Sequence, residues 1–183
     1  QIQLEWLSKE NIKIVYILLN HLSDVVIKEI GDGSRWGLQI HYVIEQSPLG
    51  TAGALAQLKS VLKSDFFVVY GDLLCDLDLK SLAEFHIHKN SDLTLVTHPN
   101  DHPYDSDLIE TDEQAQVTAV LTKPHDPNLI YRNLVNAAVY LFSPQALQEI
   151  PTGIFQDLAK DVFPEFIHKF KVYSYKTCEY LKD

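Results

Sequence analysis

Residues 66–78, FFVVYGDLLCDLD, constrain the fold of this chain more than any other stretch. Five apolar or aromatic residues run unbroken into Gly71 and Asp72, which predicts a β-strand buried on both faces in the middle of an α/β sheet. Ligands of such sheets bind at the carboxyl ends of the strands, so we expect Asp72 at the mouth of a site. Its carboxylate suits a hard cation such as Mg²⁺ that carries phosphates, although an aspartate that merely closes a turn gives the same pattern.

Strands and helices alternate along the rest of the chain, which predicts βαβ units and a mostly parallel sheet. Apolar periodicity predicts helices at 2–7, 24–30, 52–62, 79–89, 144–150 and 154–170, with Ser23 as a helix N-cap. Further strands are predicted at 11–20, 38–45, 93–97, 108–111, 117–121, 134–142 and 172–175. From residue 97 onward the strands follow one another with fewer helices, which indicates an added, partly antiparallel subsheet.

Composition narrows the class of protein. The 183 residues suffice for one domain with a real core, and the formal charge of −10 argues against a nucleic-acid or anionic-membrane partner. A small phosphate-bearing substrate is still compatible with this charge. Cys75 and Cys178 lie far apart, as expected of two reduced thiols in a cytoplasmic protein. We find no apolar run of membrane length and no signal peptide, and the sequence leaves a homo-oligomer open.

The loop SPLGTAGA, residues 47–54, precedes a predicted helix and has two interpretations. Glycines around a threonine at a helix N-terminus can present backbone N–H groups to a base edge or an anion. The other interpretation is a turn in which Thr51 is the N-cap and Gly53 allows close helix packing. Gly31-Asp32-Gly33 lacks the third glycine of a dinucleotide loop and follows a helix, so we exclude a dehydrogenase.

Two longer stretches, GDGSRWGLQIHYVIEQSPLGTAGAL and VVYGDLLCDLDL, resemble the sugar-1-phosphate nucleotidyltransferases, whose motifs are E-x-x-P-L-G-T-A-G-A and a buried strand ending in G-D. The resemblance continues at Lys123-Pro124 (family E-K-P), at NAAVY in 136–140 (family N-A-G-x-Y) and at EYLKD in 179–183 (family W-x-D). It implies a Rossmann-like three-layer αβα sandwich with a mostly parallel central sheet and a small antiparallel subsheet. This is the nucleotide-diphospho-sugar transferase fold.

The resemblance also implies a role for individual residues on the nucleotide side. A nucleotide base would be contacted by one side chain and four backbone positions: Glu45, and the backbone of Gly50, Thr51, Ala52 and Gly53. Asp72 and Asp183 would hold a Mg²⁺ that bridges the phosphates. Such a reaction needs positioning and charge neutralisation more than a covalent nucleophile.

On the sugar side, the resemblance implies that Lys123 meets the sugar phosphate and that Asn136 contacts a sugar hydroxyl. Tyr104 and Asp107 would complete the sugar site. The segments HPNDHPYDSDLIE (98–110), KPH (123–125) and YRNLVNAAVYLF (131–142) resemble the guanylyltransferases acting on D-glycero-α-D-manno-heptose 1-phosphate more than those acting on mannose 1-phosphate. The implied activity is transfer of GMP from GTP to such a sugar 1-phosphate, with release of pyrophosphate.

The chain also departs from the family pattern. The signature G-G-x-G-T-R-L-x-P-L-T does not occur, the chain contains no Met, and it begins within a predicted helix. We therefore expect a single domain, residues 1–183, without its N-terminal glycine-rich loop and its C-terminal end. Thr122 replaces the acid that precedes the family lysine, and Asp105 to Asp107 replace the usual Tyr-Gly, so different sugar contacts are implied.

Alternative readings remain open. Asp76 and Asp78 form a D-x-D pattern that nucleotide-sugar glycosyltransferases of the GT-A type use for a metal, although they equally fit as caps of the helix that begins at Leu79. A non-catalytic nucleotide-sugar-binding domain is a third possibility. A histidine metal site at His86 and His88, or at His98 and His102, is the weakest, because positions two apart on a helix do not face one another.

Overall fold

The computed structural model describes residues 1–100, 103–179 and, for the backbone alone, 181–182. Helices α1 to α6 span Ile2–Lys9, Ser23–Ile30, Gly50–Ala56, Leu79–Lys89, Pro144–Glu149 and Phe163–Lys169. Strands β1 to β10 span Ile14–Leu19, Gln39–Ile44, Phe66–Val69, Leu74–Cys75, Leu93–His98, Leu108–Thr111, Val117–Leu121, Val135–Phe142, Val172–Lys176 and Leu181–Lys182. A π-helical turn, Leu158–Val162, leads into α6. Within the described ranges no helix combines the length and the apolar character that a membrane crossing requires.

Strand β8 lies in the centre of the main sheet. It pairs antiparallel with β3 along one edge and with β5 along the other, and β5 pairs parallel with β9. The β6–β7 hairpin joins the same sheet where Leu108 pairs with Val135 at the start of β8. Strands β3, β5 and β9 therefore share one direction, and their carboxyl ends lie at one edge of the sheet. The predicted α/β class with an antiparallel component is confirmed. The main sheet is not mostly parallel as predicted, however, because β8 is antiparallel to β3, β5 and β6, and β5–β9 is the one parallel pair among the described strands of this sheet.

Two smaller sheets flank this one. Strands β1 and β2 form a parallel pair, and β4 pairs antiparallel with β10. No strand pairing joins the β1–β2 pair to the six-stranded sheet in the part of the chain that is described. The β1–β2 pair nevertheless packs against one of the apolar clusters of the main sheet, through Tyr16 and Leu18.

Helices cover both faces of the main sheet, because the side chains of β8 alternate between two apolar clusters. Tyr140 and Phe142 pack on one face with residues of α3, α5 and α6. Val139 and Leu141 pack on the other face with Trp6 of α1 and with α4. These two layers of helices with the sheet between them form the predicted three-layer arrangement.

The sequence predicts several local details incorrectly. Helix α2 begins at Ser23, and its N-cap position is Leu22 in the left-handed region, without a capping side chain. Helix α3 ends at Ala56 because the following residues form tight i→i+3 turns, such as that from Leu58 to Leu55. Strand β3 is only half-buried, since β8 alone pairs with it among the described strands.

The predicted helix at 154–170 is also wrong in its first four residues. Residues 154–157 are not helical, and helical geometry starts only at Leu158, where the side chain of Asp157 accepts hydrogen bonds from Ala159 N and Lys160 N. An aspartate at this position satisfies amides that have no partner inside the helix. The same reasoning holds for Asp78, whose carboxylate accepts from Ser81 N, so its predicted capping role is confirmed.

Candidate active site

Glu45 follows β2 directly and shapes the loop that comes after it. Its backbone N–H donates to Leu19 O at 2.7 Å, and its side-chain Oε1 accepts from Leu49 N at 3.2 Å. Gly50 then starts α3 with a φ of +71°, a region that L side chains rarely adopt. We refer to residues 45–53 as loop 45–53. The half-buried carboxylate of Glu45 therefore fixes the shape of this loop at the end of a strand.

A second stretch of backbone, which we call segment 154–158, lies directly against loop 45–53. The carbonyl oxygen of Gln156 accepts from Ala52 N at 2.9 Å and from Gly53 N at 3.4 Å. The backbone N–H of Gln156 donates in turn to Leu49 O at 2.9 Å. These bonds use the N–H groups of two residues that the sequence assigns to base recognition. In the described part of the chain, Gly50 and Thr51 keep amides without a protein acceptor at the start of α3.

Thr51 adds side-chain contacts between the same two elements. Its Oγ1 donates to Asp157 Oδ2 at 3.1 Å and accepts from Leu158 N at 2.8 Å. Thr51 is therefore not the N-cap of α3, a position that Leu49 occupies. Its hydroxyl instead joins loop 45–53 to Asp157 across 106 positions of sequence.

The glycines of the loop are required by this close approach. A Cβ added at Gly50 would collide with the carbonyl oxygen of Gln156, and one added at Gly53 would lie 2.5 Å from Ile154 O. Close packing, one of the two interpretations of Gly53, thus describes the observed contacts. The packing partner is the backbone of segment 154–158.

Asp72 lies two residues beyond Tyr70, at the carboxyl end of β3. Its side chain is exposed and borders a depression of about 400 Å³ between α1 and the turn at Gly71. Gln3 of α1 closes one wall, because its Nε2 donates to Tyr70 O at 2.7 Å and to Leu73 O at 2.5 Å. Asp72 is thus placed at the sheet edge where the sequence expects it.

The second predicted metal ligand, Asp183, lies outside the described residues. The strand before it, β10, pairs with β4, whose first residue is only two positions after Asp72. Among the described residues no group of three His, Cys, Asp or Glu side chains is arranged to hold a metal. Asp72 would therefore be a single protein ligand in this part of the chain, as is common for Mg²⁺ that keeps waters and substrate phosphates.

Three of the residues predicted on the sugar side come together as one group, which we call the Lys123 cluster: Asp107, Lys123 and Asn136. The backbone oxygen of Asp107 accepts from Asn136 N at 2.9 Å, and its Oδ1 accepts from Lys123 N at 3.1 Å. The ammonium group of Lys123 is exposed and donates to Asp105 O at 2.9 Å. A bond from an exposed ammonium to a carbonyl can be exchanged for one to a phosphate.

Tyr104 lies on the outer side of this cluster. Its side chain is 49% exposed, and its ring contacts Tyr131 edge-on with the centroids 6.1 Å apart. Tyr131 also contacts the ring of His125 at 5.1 Å, and His125 Nε2 lies 2.7 Å from Ser106 O. Tyr104 is therefore an accessible aromatic surface held by the loop that follows Lys123.

Two tyrosines lie between the Lys123 cluster and loop 45–53. Asn136 Nδ2 donates to the hydroxyl of Tyr140 at 3.0 Å, and Tyr140 is fully buried. Its ring meets that of Tyr70 edge-on at 5.9 Å, while Tyr70 N donates to Ala138 O at 3.2 Å. No hydrogen bond joins loop 45–53 to Lys123 directly within residues 1–100 and 103–179. The tyrosines are the contact between the two halves.

Burial dominates the titration of both tyrosines. It raises the pKa of Tyr140 well above its ordinary value, with a further rise from Tyr70 and an opposing effect of the bond from Asn136. Burial also raises the pKa of Tyr70, whereas hydrogen bonding by Thr51 and Tyr140 lowers it and the charge of Asp157 raises it. Both hydroxyls are therefore neutral hydrogen-bonding groups at physiological pH.

Asp157 and Tyr140 contact the candidate site residues Thr51 and Asn136, and Tyr70 contacts Tyr140; the sequence interpretation identified none of the three. Tyr70 and Tyr140 were read as strand residues, which hides the direction of their hydroxyls. Asp157 was read as part of a helix, although an aspartate immediately before the apolar run at Leu158 is a typical N-cap signal. With that signal the predicted helix starts at Leu158, which leaves residues 154–157 free to contact a neighbouring loop.

Comparison with known proteins bears on the identity of this site. The sequence profile of the nucleotidyl transferase family matches residues 1–179. The mannose-1-phosphate guanylyltransferase of Mycobacterium tuberculosis is 36% identical over 158 residues, which are 85% of this chain and 43% of that protein. The catalytic subunit beta of mannose-1-phosphate guanylyltransferase from Drosophila melanogaster is 30% identical over 179 residues, 94% of this chain and 47% of that protein. The chain thus spans less than half the length of either relative.

Solved structures share the architecture. HddC from Yersinia pseudotuberculosis superposes with a TM-score of 0.85 at 23% identity, covering 100% of this chain and 78% of that one. The same protein complexed with GMP-PN superposes with a TM-score of 0.82, covering 98% of this chain and 76% of that one. At this identity the likeness shows a common fold. With the profile matching nearly every residue, the chain belongs to the nucleotidyl transferase family.

Proposed function

We propose that the protein transfers GMP from GTP to a manno-configured sugar 1-phosphate, releasing pyrophosphate and forming a GDP-sugar. The observation that carries this proposal is that Asp72, just past the end of β3, and Asn136, at the start of the antiparallel β8, lie at the same edge of the main sheet in a chain of the nucleotidyl transferase family. Edges of this kind are where open α/β sheets bind ligands.

The nucleotide base would bind at loop 45–53. The N–H groups of Gly50 and Thr51 are available at the start of α3, whereas those of Ala52 and Gly53 are bonded to Gln156 O. Glu45 would accept from donors on the base edge through the carboxylate oxygen that is not bonded to Leu49. A guanine offers adjacent N–H donors that one carboxylate oxygen can accept.

Asp72, together with Asp183, would hold a Mg²⁺ at the phosphates. The donor set fits the ion, because an exposed carboxylate at a strand end can bind Mg²⁺ while leaving most positions to water and phosphate oxygens. When bound, the ion neutralises charge that develops on the phosphates. Asp72 itself would hold the ion in position just beyond the end of β3.

The sugar phosphate would bind beside the Lys123 cluster. Lys123 Nζ would leave Asp105 O for a phosphate oxygen, while Asn136, Asp107 and Tyr104 would contact the sugar. A phosphate oxygen of the sugar 1-phosphate then attacks the α-phosphorus of the nucleotide. The new P–O bond forms as the bond to the β-phosphate bridging oxygen breaks, and pyrophosphate leaves with that electron pair.

The proposed substrates rest on the names of the curated relatives and on the resemblance of two sequence segments to the family. The two curated relatives named above are mannose-1-phosphate guanylyltransferases, which supports GTP and mannose 1-phosphate. The amino-acid sequence of segments 98–110 and 131–142 supports D-glycero-D-manno-heptose 1-phosphate as the sugar substrate. A cytoplasmic location belongs to the same proposal and agrees with the unpaired Cys75 and Cys178.

The proposal is tested by pyrophosphate release from the full-length protein, with each of the four NTPs against mannose, heptose and glucose 1-phosphates, with and without Mg²⁺. Mg²⁺-dependent release with GTP and a manno-configured sugar is the expected result. Another productive pair would keep the reaction and correct the substrate. No release with any pair would overturn the proposal in favour of a binding domain or a glycosyltransferase.

Asp72→Asn separates catalysis from folding. It removes one charge from the proposed ion, so we expect kcat to fall by more than about 100-fold, given that even outer-shell partners of a metal change activity 10- to 100-fold. Because Asp72 is exposed, the free energy of unfolding should change by less than about 0.5 kcal/mol. Steady-state kinetics and thermal unfolding measure the two effects.

Asp76→Asn is the matched control, because Asp76 is an exposed aspartate of the same stretch. It should retain activity. The reverse pattern, an inactive Asp76→Asn and an active Asp72→Asn, would point to the D-x-D reading of Asp76 and Asp78. That reading is disfavoured by the structure, since both carboxylate oxygens of Asp78 accept hydrogen bonds from Ser81.

A further inference from the structure

A chain of part-buried polar contacts runs between the two halves of the site. At one end, Thr51 of loop 45–53 donates to Asp157 at 3.1 Å. At the other end, Asn136 of the Lys123 cluster donates to the Tyr140 hydroxyl at 3.0 Å. Tyr70 lies between them: its ring meets that of Tyr140 edge-on at 5.9 Å, and burial raises the pKa of Tyr70 while hydrogen bonding by the hydroxyls of Thr51 and Tyr140 lowers it.

This chain lies in a place where small displacements are costly. Tyr140 is fully buried, and its ring is held between Phe142 and Phe163, with centroid separations of 6.4 and 5.0 Å. Because the ring cannot move without disturbing the core, its hydroxyl has a fixed position relative to Asn136. Buried hydrogen-bond networks of this kind also strengthen one another in a low dielectric.

We propose that Asp157, Tyr70 and Tyr140 are positioning residues that couple the nucleotide site at loop 45–53 to the sugar-phosphate site at the Lys123 cluster. Binding of the nucleotide orders the side chain of Thr51, and binding of the sugar phosphate orders that of Asn136. The side chains of Asp157, Tyr70 and Tyr140 then restrict the residue at the other site. Each substrate therefore raises the affinity for the other. The inference rests on the proposed function and adds to it a dependence between the two substrates.

The variants that test the coupling are Tyr70→Phe and Tyr140→Phe. Each removes one hydroxyl from the chain and keeps the ring that packs in the core. Tyr16→Phe is the matched control, because Tyr16 packs against the same apolar cluster and stacks on His41 at 5.0 Å, away from the chain. Thermal unfolding of the three variants establishes that each is folded.

The measurement is the dissociation constant of the α,β-methylene analogue of GTP for the full-length protein with Mg²⁺. It is taken with and without a saturating amount of the sugar 1-phosphate that supports turnover. The methylene bridge replaces the bond that the reaction breaks, so the ternary complex is stable. We expect the sugar phosphate to tighten nucleotide binding about fivefold or more in the wild type, within the usual range for coupled sites.

The coupling factor is the ratio of the nucleotide dissociation constants without and with the sugar phosphate. In Tyr70→Phe and Tyr140→Phe this factor should fall to within about twofold of unity, while Tyr16→Phe should keep the wild-type value. Asp157→Asn, which replaces the acceptor of Thr51 by a donor, should weaken nucleotide binding and lower the factor as well. A merely structural role would weaken each substrate alone and leave the factor unchanged.

The possible failures are distinguishable. Wild-type protein that turns over but shows no dependence between substrates overturns the coupling and leaves the proposed function intact. The same holds if the factor survives in both tyrosine variants. Wild-type protein that neither binds the analogue nor releases pyrophosphate overturns the proposed function, and the coupling with it.

Discussion

Ala138 holds a backbone conformation that alanine rarely adopts, with a φ of +56°. It lies in a bulge of β8, where Leu95 pairs with Tyr140 but Thr97 pairs with Asn136, so β8 has more residues than β5 between the two pairs. Bulges of this kind redirect side chains at sites. Here the bulge separates Asn136 from Tyr140 while keeping their side chains in contact. The family motif N-A-G-x-Y, which NAAVY resembles, has glycine at this position.

Ala138→Gly should therefore stabilise the protein. The left-handed conformation costs a non-glycine residue about 1–2 kcal/mol, and part of this gain is offset by the extra freedom of glycine in the unfolded chain. We expect the free energy of unfolding to rise by up to about 1 kcal/mol. Denaturant unfolding measures the change.

Ala137→Gly is the control, because Ala137 is buried and has no positive φ. It should destabilise the protein. Equal losses in both variants would show that the conformation of Ala138 is not strained.

His86 illustrates a histidine whose role is structural. It is 2% exposed, its Nδ1 lies 2.8 Å from Thr94 Oγ1, and its Nε2 lies 3.8 Å from Asp65 Oδ2. Ser91 continues the contacts, accepting from Thr94 Oγ1 at 3.2 Å. Burial lowers the pKa of His86, opposed by the charges of Asp65 and Asp92. His88, two positions along α4, is exposed and faces away.

The lowered pKa predicts a loss of stability in acid. Below the ordinary value of 6.5 the unfolded chain binds a proton on His86 that the folded protein resists, so stability is present above pH 6.5 and is lost as pH falls toward the folded pKa. His86→Gln should show a smaller drop in melting temperature between pH 7 and pH 5 than the wild type. His88→Gln should behave as the wild type does, and equal drops in all three would contradict the prediction.

At the scale of elements, α3 and segment 154–158 form one unit. Gly53→Ala should lower the free energy of unfolding by about 1–3 kcal/mol, because the new methyl group meets Ile154 O, a backbone atom that cannot move aside. The better helix preference of alanine offsets a part of this cost. Chemical denaturation gives the magnitude.

Gly71→Ala is the comparison for this variant, since a Cβ at Gly71 meets nothing within 4 Å. It should leave stability unchanged or raise it by up to about 1 kcal/mol through the unfolded chain. A neutral Gly53→Ala would show that segment 154–158 is not packed against the loop in solution.

Element types were largely predictable from local pattern, whereas some boundaries were not. Helix α4 has the predicted bounds, because Asp78 caps a regular amphipathic stretch. Residues 154–157 were predicted as helix, yet the backbone N–H and carbonyl of Gln156 bond to loop 45–53, about a hundred residues away. Periodicity reports only neighbours in sequence, so a contact of this range is invisible to it.

At the scale of the whole molecule, the class of fold follows from the alternation of strands and helices, but the order of strands does not. Strand β8 was expected in an added subsheet, and it instead lies in the centre, between β3 and β5. With eight residues, β8 is long enough to pair with both neighbours and with the β6–β7 hairpin. Nothing in a linear pattern specifies which strands share an edge.

The candidate site residues that lie within family motifs were predictable from the sequence. Resemblance pointed to loop 45–53, Asp72 and the Lys123 cluster, and in the structure Asp107, Lys123 and Asn136 of that cluster are joined by hydrogen bonds. Tyr70, Tyr140 and Asp157 belong to no motif that the sequence alone supplies. Their contacts, such as that of Asp157 with the Thr51 hydroxyl and that of the Tyr140 hydroxyl with the Asn136 amide, are determined only by the packing of the core.

The contact of Thr51 with Asp157 also has a consequence for synthesis of the protein on the ribosome. Loop 45–53 emerges early, but the backbone that holds it in shape is made 106 residues later. Until segment 154–158 leaves the exit tunnel, the amides of Ala52 and Gly53 lack their acceptor, the carbonyl oxygen of Gln156. Contacts of such sequence separation form late and slowly. The nascent chain can therefore pair β3, β5 and β8 before loop 45–53 reaches its final shape.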